Sequence, residues 1–212
     1  SMDGDRAPLA EMVEIKDQYG AILMVDEAHA VGVIGREGRG LADRLGVADR
    51  IEIQMGTLSK ALGCTGGYIC GSRTLIDYLI NRARSLVYST APAPASAVTA
   101  LAALDFLQSP EGEARRKQLW DNLKLLAEGL PVSRVPERLQ SAIVPIVIGN
   151  EEEALGASRL LYEKGFYVPA IRYPTVAKGS ARLRVTVSAL HTPDQIRTFT
   201  AALQALEEAP AP

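Results

Sequence analysis

Two short segments of the sequence combine side chains that can bind and activate a small organic molecule. One is Asp26-Glu-Ala-His29, directly after an apolar run, and the other is Thr57-Leu-Ser-Lys60, after the next apolar segment. A carboxylate at a partly desolvated edge needs a cationic or hydrogen-bonding partner. A lysine amine in such a site can act as a nucleophile. The pattern therefore indicates an amine nucleophile accompanied by an acidic group and an imidazole.

Both segments are expected at the carboxyl ends of strands. The run Ala21–Val25 predicts a strand buried on both faces, and Ile51–Met55 and Tyr68–Cys70 predict two more. Helical patterns alternate with these strands, which favours an α/β fold with a parallel sheet covered by helices. Open sheets of this kind bind their ligands beyond the carboxyl ends of the strands. We therefore expect Asp26 and Lys60 at the ligand-binding edge.

The second half of the chain predicts a smaller α+β domain with its own core. The boundary is placed near Pro110, which gives a partial large domain at 1–110 and a small domain at 111–212. The predicted elements are helices at 8–19, 73–84, 93–107, 111–130 and 151–164, strands at 142–148 and 183–187, and a last helix that begins at Thr192-Pro193-Asp194. Pro131 and Pro136 indicate a linker, and the tail from Glu207 is expected to fray.

Composition excludes several classes of function. The 212 residues carry a formal net charge of −2, so no basic excess favours nucleic acid. No apolar run approaches the roughly 18–20 residues that span a bilayer. Cys64 and Cys70 have five residues between them and no histidine nearby, which fits neither a zinc site nor a disulfide framework. We expect two reduced thiols, no bound metal and a cytoplasmic protein.

A series of motifs resembles one enzyme family. The motifs are Val25–His29, Gly32–Gly35, Gly38–Gly40, Gly56–Lys60, Gly66–Tyr68, Tyr88–Thr90, Ala170–Arg172 and Arg182–Arg184. In this order they resemble the α-oxoamine synthases, a branch of the fold-type-I pyridoxal-phosphate enzymes. The resemblance extends over nearly the whole chain. It implies the C-terminal part of the large cofactor-binding domain, with a mainly parallel sheet, followed by the small α+β domain.

The resemblance also implies pyridoxal 5′-phosphate (PLP) as cofactor and assigns the residues that bind it. Lys60 corresponds to the lysine that holds the cofactor as an imine and moves the substrate α-proton. Asp26 corresponds to the partner of the pyridine nitrogen, and His29 to the partner of the phenolic oxygen. The remaining cofactor contacts are Ser1, the phosphate ligand Thr57, and Ser89 and Thr90. The last two reach the phosphate of a neighbouring subunit, which implies a homodimer with shared active sites.

Substrate contacts are implied in the second domain. Arg172 and Arg184 correspond to arginines near the substrate, where a guanidinium suits a carboxylate. Thr175 corresponds to a threonine that contacts the acyl substrate. The implied reaction joins an amino acid to an acyl thioester with loss of carbon dioxide. The segments Ala170–Arg172 and Pro174–Val176 are most similar to the member that joins L-alanine to a pimeloyl thioester in biotin synthesis.

Other activities stay open at this stage. Tyr173 stands where that member more often has proline, and the sister enzyme that joins glycine to an acetyl thioester shares the named residues. An aminotransferase of the same fold is a further alternative, although tyrosine is more usual there at the position of His29. The family carries a segment before Ser1 that has no counterpart here, so we expect a fragment or a truncated reading frame. A non-catalytic dimerisation module is therefore the alternative from another class.

Overall fold

A computed structural model describes residues 1–130 and 139–208. The chain forms two compact units, one of residues 7–114 and the other of residues 1–6 together with the described residues from 115 onward. The first six residues are thus part of the second unit. The division into domains at 1–110 and 111–212 stays a proposal.

The first unit contains a three-stranded sheet of β1 (Met24–Asp26), β2 (Ile53–Thr57) and β3 (Gly67–Gly71) in that order. β1 and β2 are parallel, with Asp26 opposite Met55. β2 and β3 are antiparallel, with Thr57 opposite Gly67. The prediction of a parallel sheet is confirmed for the first pair only. The loop 58–66 returns directly to the sheet, whereas a parallel connection needs a crossover of about a dozen residues or more.

Five helices lie within the first unit. They are α1 (Leu9–Tyr19), α2 (Leu41–Leu45), α3 (Arg73–Arg82), α4 (Arg84–Val87) and α5 (Pro94–Gln108). α1 buries Leu9 and Val13 and ends at Gly20, whose left-handed conformation suits a C-cap. The hydroxyl of Ser72 caps α3 by accepting the N–H of Leu75. Short 3₁₀ turns at 36–38 and 48–50 complete the connections.

The second unit is an antiparallel sheet covered by helices. β4 (Ile143–Gly149), β5 (Ala170–Ile171) and β6 (Ala181–Thr186) lie in the order β4-β6-β5. The helices are α7 (Glu151–Glu163), α8 (Pro193–Glu208) and most of α6 (Pro110–Gly129). Leu123, Leu126, Leu161, Leu183 and Val144 are fully buried. These buried side chains form the core of this unit. Burying each of them stabilises the fold by roughly 1.5–3 kcal/mol.

The first strand differs from its prediction. The strand covers Met24–Asp26 rather than 21–25, and Ile22 and Met24 are 75% and 53% exposed. The expectation of a strand buried on both faces is therefore wrong. An apolar run indicates a strand, but burial depends on helices over both faces, and the described helices leave these side chains exposed.

Two predictions concern residues outside the described ranges. The linker at Pro131 and Pro136 lies there entirely, and the tail predicted from Glu207 lies there beyond residue 208. Among the helices of residues 1–130 and 139–208, none combines the length and apolar character that crossing a bilayer requires.

Candidate active site

Asp26 closes β1 at the edge where β2 also ends. Its Oδ1 atom accepts the N–H of Ala28 at 2.8 Å, which starts the turn that carries His29. The side chain is exposed, and within the described residues Oδ2 has no hydrogen-bond partner. A carboxylate with one oxygen fixed and the other open to solvent can accept a hydrogen bond from a bound cation.

Glu27, which directly follows Asp26, fixes this turn. The backbone N–H of Glu27 donates to the carbonyl of Met55 at 2.8 Å, and the carbonyl of Glu27 accepts from Ala30 and Val31. Its side chain is buried and accepts backbone N–H groups at the start of α2. Sequence analysis missed this role, although an acidic residue inside an otherwise apolar segment was a visible signal.

Lys60 lies in a compact loop after β2. Thr57 shapes its start, because the Thr57 hydroxyl donates to the carbonyl of Gly66 at 3.1 Å and accepts the N–H of Ser59 at 3.2 Å. The carbonyl of Lys60 accepts the N–H of Gly63 at 3.1 Å. The Lys60 side chain is exposed, and within the described residues its amine has no carboxylate partner. The amine is thus available to a ligand.

The loops that follow β1 and β2 touch each other. Ala61, next to Lys60, packs directly on the backbone of Gly32, which belongs to the loop after Asp26. Neighbouring strands lie about 4.8 Å apart, so the parallel pairing already places the ends of β1 and β2 side by side. The structure therefore brings the loops of Asp26, His29, Thr57 and Lys60 together, as the sequence predicts.

Tyr68 on β3 covers the backbone of β2 at Gly56. A Cβ atom on Gly56 would lie 2.4 Å from the Tyr68 hydroxyl oxygen, so only glycine leaves space for the ring. Burial raises the pKa of Tyr68, and electrostatic interactions with Cys70 and Glu27 raise it further. The phenol therefore stays protonated well above neutral pH and remains a hydrogen-bond donor.

Ser89 and Thr90 follow α4 in an exposed segment. The Ser89 hydroxyl donates to the carbonyl of Thr90 at 3.4 Å. No hydrogen bond among the described residues joins either hydroxyl to the loops of Asp26 or Lys60. Their assignment to a neighbouring subunit's phosphate stays a prediction.

In the second unit, Arg184 of β6 is a partly buried cation with neutral hydrogen-bond partners. Its Nε atom donates to the carbonyl of Ser1 at 2.9 Å, and Nη1 donates to the hydroxyl of Thr186 at 3.0 Å. Partial burial lowers the pKa of Arg184. Its hydrogen-bond partners in the described chain are neutral, so the guanidinium charge is not compensated by a carboxylate. Thr186 was not predicted from the sequence.

Arg172 and Thr175 lie in an exposed turn just after β5. The N–H of Thr175 donates to the carbonyl of Arg172 at 3.0 Å, which closes the turn around the cis Tyr173–Pro174 bond. Lys178 stacks on the Tyr173 ring, with Nζ 5.1 Å from the ring centroid. Ile171, directly before Arg172, pairs with Arg182 of β6, two residues before Arg184.

Asp3 and Arg182 form an ion pair that the sequence did not predict. The Arg182 guanidinium is buried on β6, and it also donates to the carbonyl of Ser180 at 3.0 Å. Arg182 and Arg184 are two residues apart on one strand, so both side chains point to the same face of the sheet. Together they hold the segment 1–6 on that face.

The sequence matches the family of class I and II aminotransferases over residues 1–203. The chain belongs to this family. An 8-amino-7-oxononanoate synthase of Trichlorobacter lovleyi is 48% identical over 205 residues, which cover 96% of this chain and 52% of that relative. A synthase of the same name from Geobacter sulfurreducens is 46% identical over 204 residues. The chain spans about half the length of the curated relatives it matches.

Solved structures agree with this placement. A serine palmitoyltransferase from Sphingomonas wittichii superposes with a TM-score of 0.91 at 31% identity, over 99% of this chain and 54% of that one. The 8-amino-7-oxononanoate synthase of Francisella tularensis gives 0.79 at 29% identity, over 97% of this chain and 60% of that one. The fold-type-I architecture and the similarity to α-oxoamine synthases are confirmed.

Proposed function

We propose that this protein is a PLP-dependent acyltransferase that joins an amino acid to an acyl thioester with loss of carbon dioxide. L-Alanine and a pimeloyl thioester are the favoured substrates, and the product is 8-amino-7-oxononanoate, a precursor of biotin. The observation that carries the proposal is Lys60, an exposed amine without a carboxylate partner in the described chain, beside the end of the strand that carries Asp26. The names of the relatives support the choice of reaction.

The side chains present fit the chemical groups of PLP. Lys60 would hold its carbonyl carbon, Asp26 its pyridine nitrogen and His29 its phenolic oxygen, while Thr57 would bind the phosphate. When bound, PLP supplies an electron-accepting ring that stabilises negative charge on the α-carbon of the amino acid. The open Oδ2 atom of Asp26 can bind the protonated pyridine nitrogen by a charge-assisted hydrogen bond. Ser1, Ser89 and Thr90 complete the proposed set of cofactor ligands.

The chain's own residues move the proton and bind the substrates. Lys60, as a free amine, takes the α-proton of the amino acid. Arg184 binds a substrate carboxylate, because its half-buried charge lacks an acidic partner in the described chain. Arg172 and Thr175 are proposed as further contacts on the acyl side.

We also propose a cytoplasmic homodimer with shared active sites. Leu86, Val87 and Tyr88, directly before Ser89, are 55%, 49% and 79% exposed, which supports a subunit contact at this point. Cys64 and Cys70 are free thiols, which supports a reducing compartment.

Two measurements on the whole protein encoded by the gene test the function. Borohydride reduction in the presence of PLP, followed by peptide mass spectrometry, is expected to fix the cofactor on Lys60. The label is lost in Lys60→Ala and kept in Lys164→Ala, a control lysine in the other unit; a label on another lysine overturns the assignment. Turnover with alanine or glycine and pimeloyl or acetyl thioesters then identifies the reaction. A preference for glycine with the acetyl thioester would favour the sister enzyme.

A further inference from the structure

The carboxylate of Glu27 is buried without a cationic side chain among its described hydrogen-bond partners. The residue is 5% exposed. Its Oε2 atom accepts the N–H of Leu41 at 3.0 Å and its Oε1 atom accepts the N–H of Ala42 at 2.8 Å. These are the first two residues of α2, whose N–H groups have no partner inside the helix. A buried carboxylate is costly unless it is hydrogen-bonded, so the start of α2 and Glu27 stabilise each other.

The approach of this carboxylate depends on Gly40. A Cβ atom at Gly40 would lie 2.8 Å from Oε2 of Glu27, and the residue has a φ of +112°. Any side chain there would push the carboxylate away from the N–H groups of α2. The pair Glu27 and Gly40 therefore connects the turn after β1 with α2.

Glu27 is also fixed through its backbone, on the side of the proposed cofactor ligands. Its N–H donates to the carbonyl of Met55 in β2. Its own carbonyl accepts the N–H groups of Ala30 and Val31, which closes the turn around His29. Asp26 precedes Glu27 directly. Glu27 is thus held to α2 by its side chain, to β2 by its N–H and to the turn of His29 by its carbonyl.

We propose that Glu27 is a positioning residue: its carboxylate clamps the Asp26–His29 turn onto α2 and so orients the two side chains that bind the cofactor ring. Glu27 acts through its neighbours and touches no reacting atom. This inference rests on the proposed function, since it concerns the same ligand. If Glu27 only stabilised the fold, replacing it would weaken PLP binding no more than another substitution with a similar loss of stability.

The test compares Glu27→Gln with Ser72→Ala in the whole protein encoded by the gene. Ser72→Ala removes a helix cap from α3 of the same unit, which carries no proposed ligand. In cofactor-free protein, Glu27→Gln is expected to speed amide hydrogen exchange in residues 27–42 by about 10- to 100-fold, the effect of losing a charged hydrogen bond. The dissociation constant for PLP, measured by its absorbance, is expected to rise by about tenfold or more. Ser72→Ala leaves both quantities unchanged.

Glu27→Asp provides the milder variant in case Glu27→Gln does not fold. It keeps the charge on a side chain shorter by one methylene, and partial recovery of PLP affinity is expected. Unaltered exchange in residues 27–42, or a PLP affinity no lower than that of Ser72→Ala, overturns the inference. A wild-type protein that binds no PLP overturns the proposed function and the orienting role, while the exchange measurement alone still decides whether Glu27 clamps the turn.

Discussion

Ala61 packs so closely on Gly32 that a Cβ atom on Gly32 would lie 2.4 Å from the Cβ atom of Ala61. Gly32 follows Asp26 in one loop, and Ala61 follows Lys60 in the other. Gly32 also has a φ of +79°, a conformation that side chains disfavour. Both the contact and the backbone therefore require glycine where the two loops meet.

Replacing Gly32 with alanine is expected to lower the free energy of unfolding by roughly 3 kcal/mol. The left-handed conformation contributes about 1–2 kcal/mol and the overlap with Ala61 about 1–3 kcal/mol. The matched control is Gly20→Ala, where φ is +60° and no atom lies within 4 Å of the added Cβ. Urea unfolding measures both variants, and equal losses would show that the contact with Ala61 does not matter.

Replacing Asp26 with asparagine is expected to slow exchange of the substrate α-proton strongly, while much of the bound PLP remains. An amide cannot hold the pyridine nitrogen protonated, so the rate should fall by roughly 100-fold or more, as when another preorganised electrostatic group is removed. Proton exchange of L-alanine in deuterated water, followed by NMR, measures this step. Asp49→Asn, an exposed carboxylate in the same unit, is the control. Unchanged exchange in Asp26→Asn would contradict the assigned role.

The Asp3–Arg182 pair is expected to respond unequally to the loss of either partner. The Arg182 side chain is 10% exposed and that of Asp3 is 57% exposed. Asp3→Asn leaves a buried charge without its carboxylate and is expected to cost about 2–3 kcal/mol of unfolding free energy. Arg182→Met leaves Asp3 free to be hydrated and should cost less. Urea unfolding measures the loss of unfolding free energy in both variants. A larger loss in Arg182→Met than in Asp3→Asn would contradict this account.

An ion-pair network around Arg50 is expected to stabilise the first unit at neutral pH. Arg50 pairs with Glu14 and Asp17, and Lys16 pairs with Asp17 and Glu52. Hydrogen bonds from Arg50 and Lys16 lower the pKa values of these three carboxylates. Because the folded-state pKa values are depressed, the contribution is present above the unfolded values, near pH 4, and is lost as the pH falls through the folded ones.

Arg50→Gln should therefore lower the thermal midpoint most at neutral pH and least in acid. Thermal unfolding between neutral pH and about pH 3 measures the difference from wild type. Arg197→Gln is the control, since Arg197 pairs with Asp194 on one helix and exposed pairs of this kind contribute little. A difference that stays constant across the pH range would contradict the role of the carboxylates.

Regular elements were predictable where the local pattern decides them. The helix capped by Ser72 and the one that begins after Thr192 start at the predicted residues, and β4 and β6 lie within two residues of their predictions. α2 and β5 were missed because five and two residues are too short for a periodic pattern. The antiparallel direction of β3 depends on the path of the loop 58–66, which hydrophobic spacing does not report.

The candidate site likewise contains residues that the sequence predicted and residues that it missed. Asp26, His29 and Lys60 were predicted because each stands in a local motif at a strand end. Glu27 was missed because its partners lie 14 and 15 positions away, and Arg182 because Asp3 lies 179 positions away. Hydrogen bonds over such separations leave no spacing pattern in the sequence.

The second unit is assembled from both ends of the described chain, and this has a consequence for synthesis on the ribosome. Residues 1–6 are translated long before their partners Gln140, Arg182 and Arg184. Residues 7–114, which belong to the other unit, are translated in between. The segment 1–6 therefore stays without these partners until β6 has been synthesised, so the second unit cannot be completed before that point.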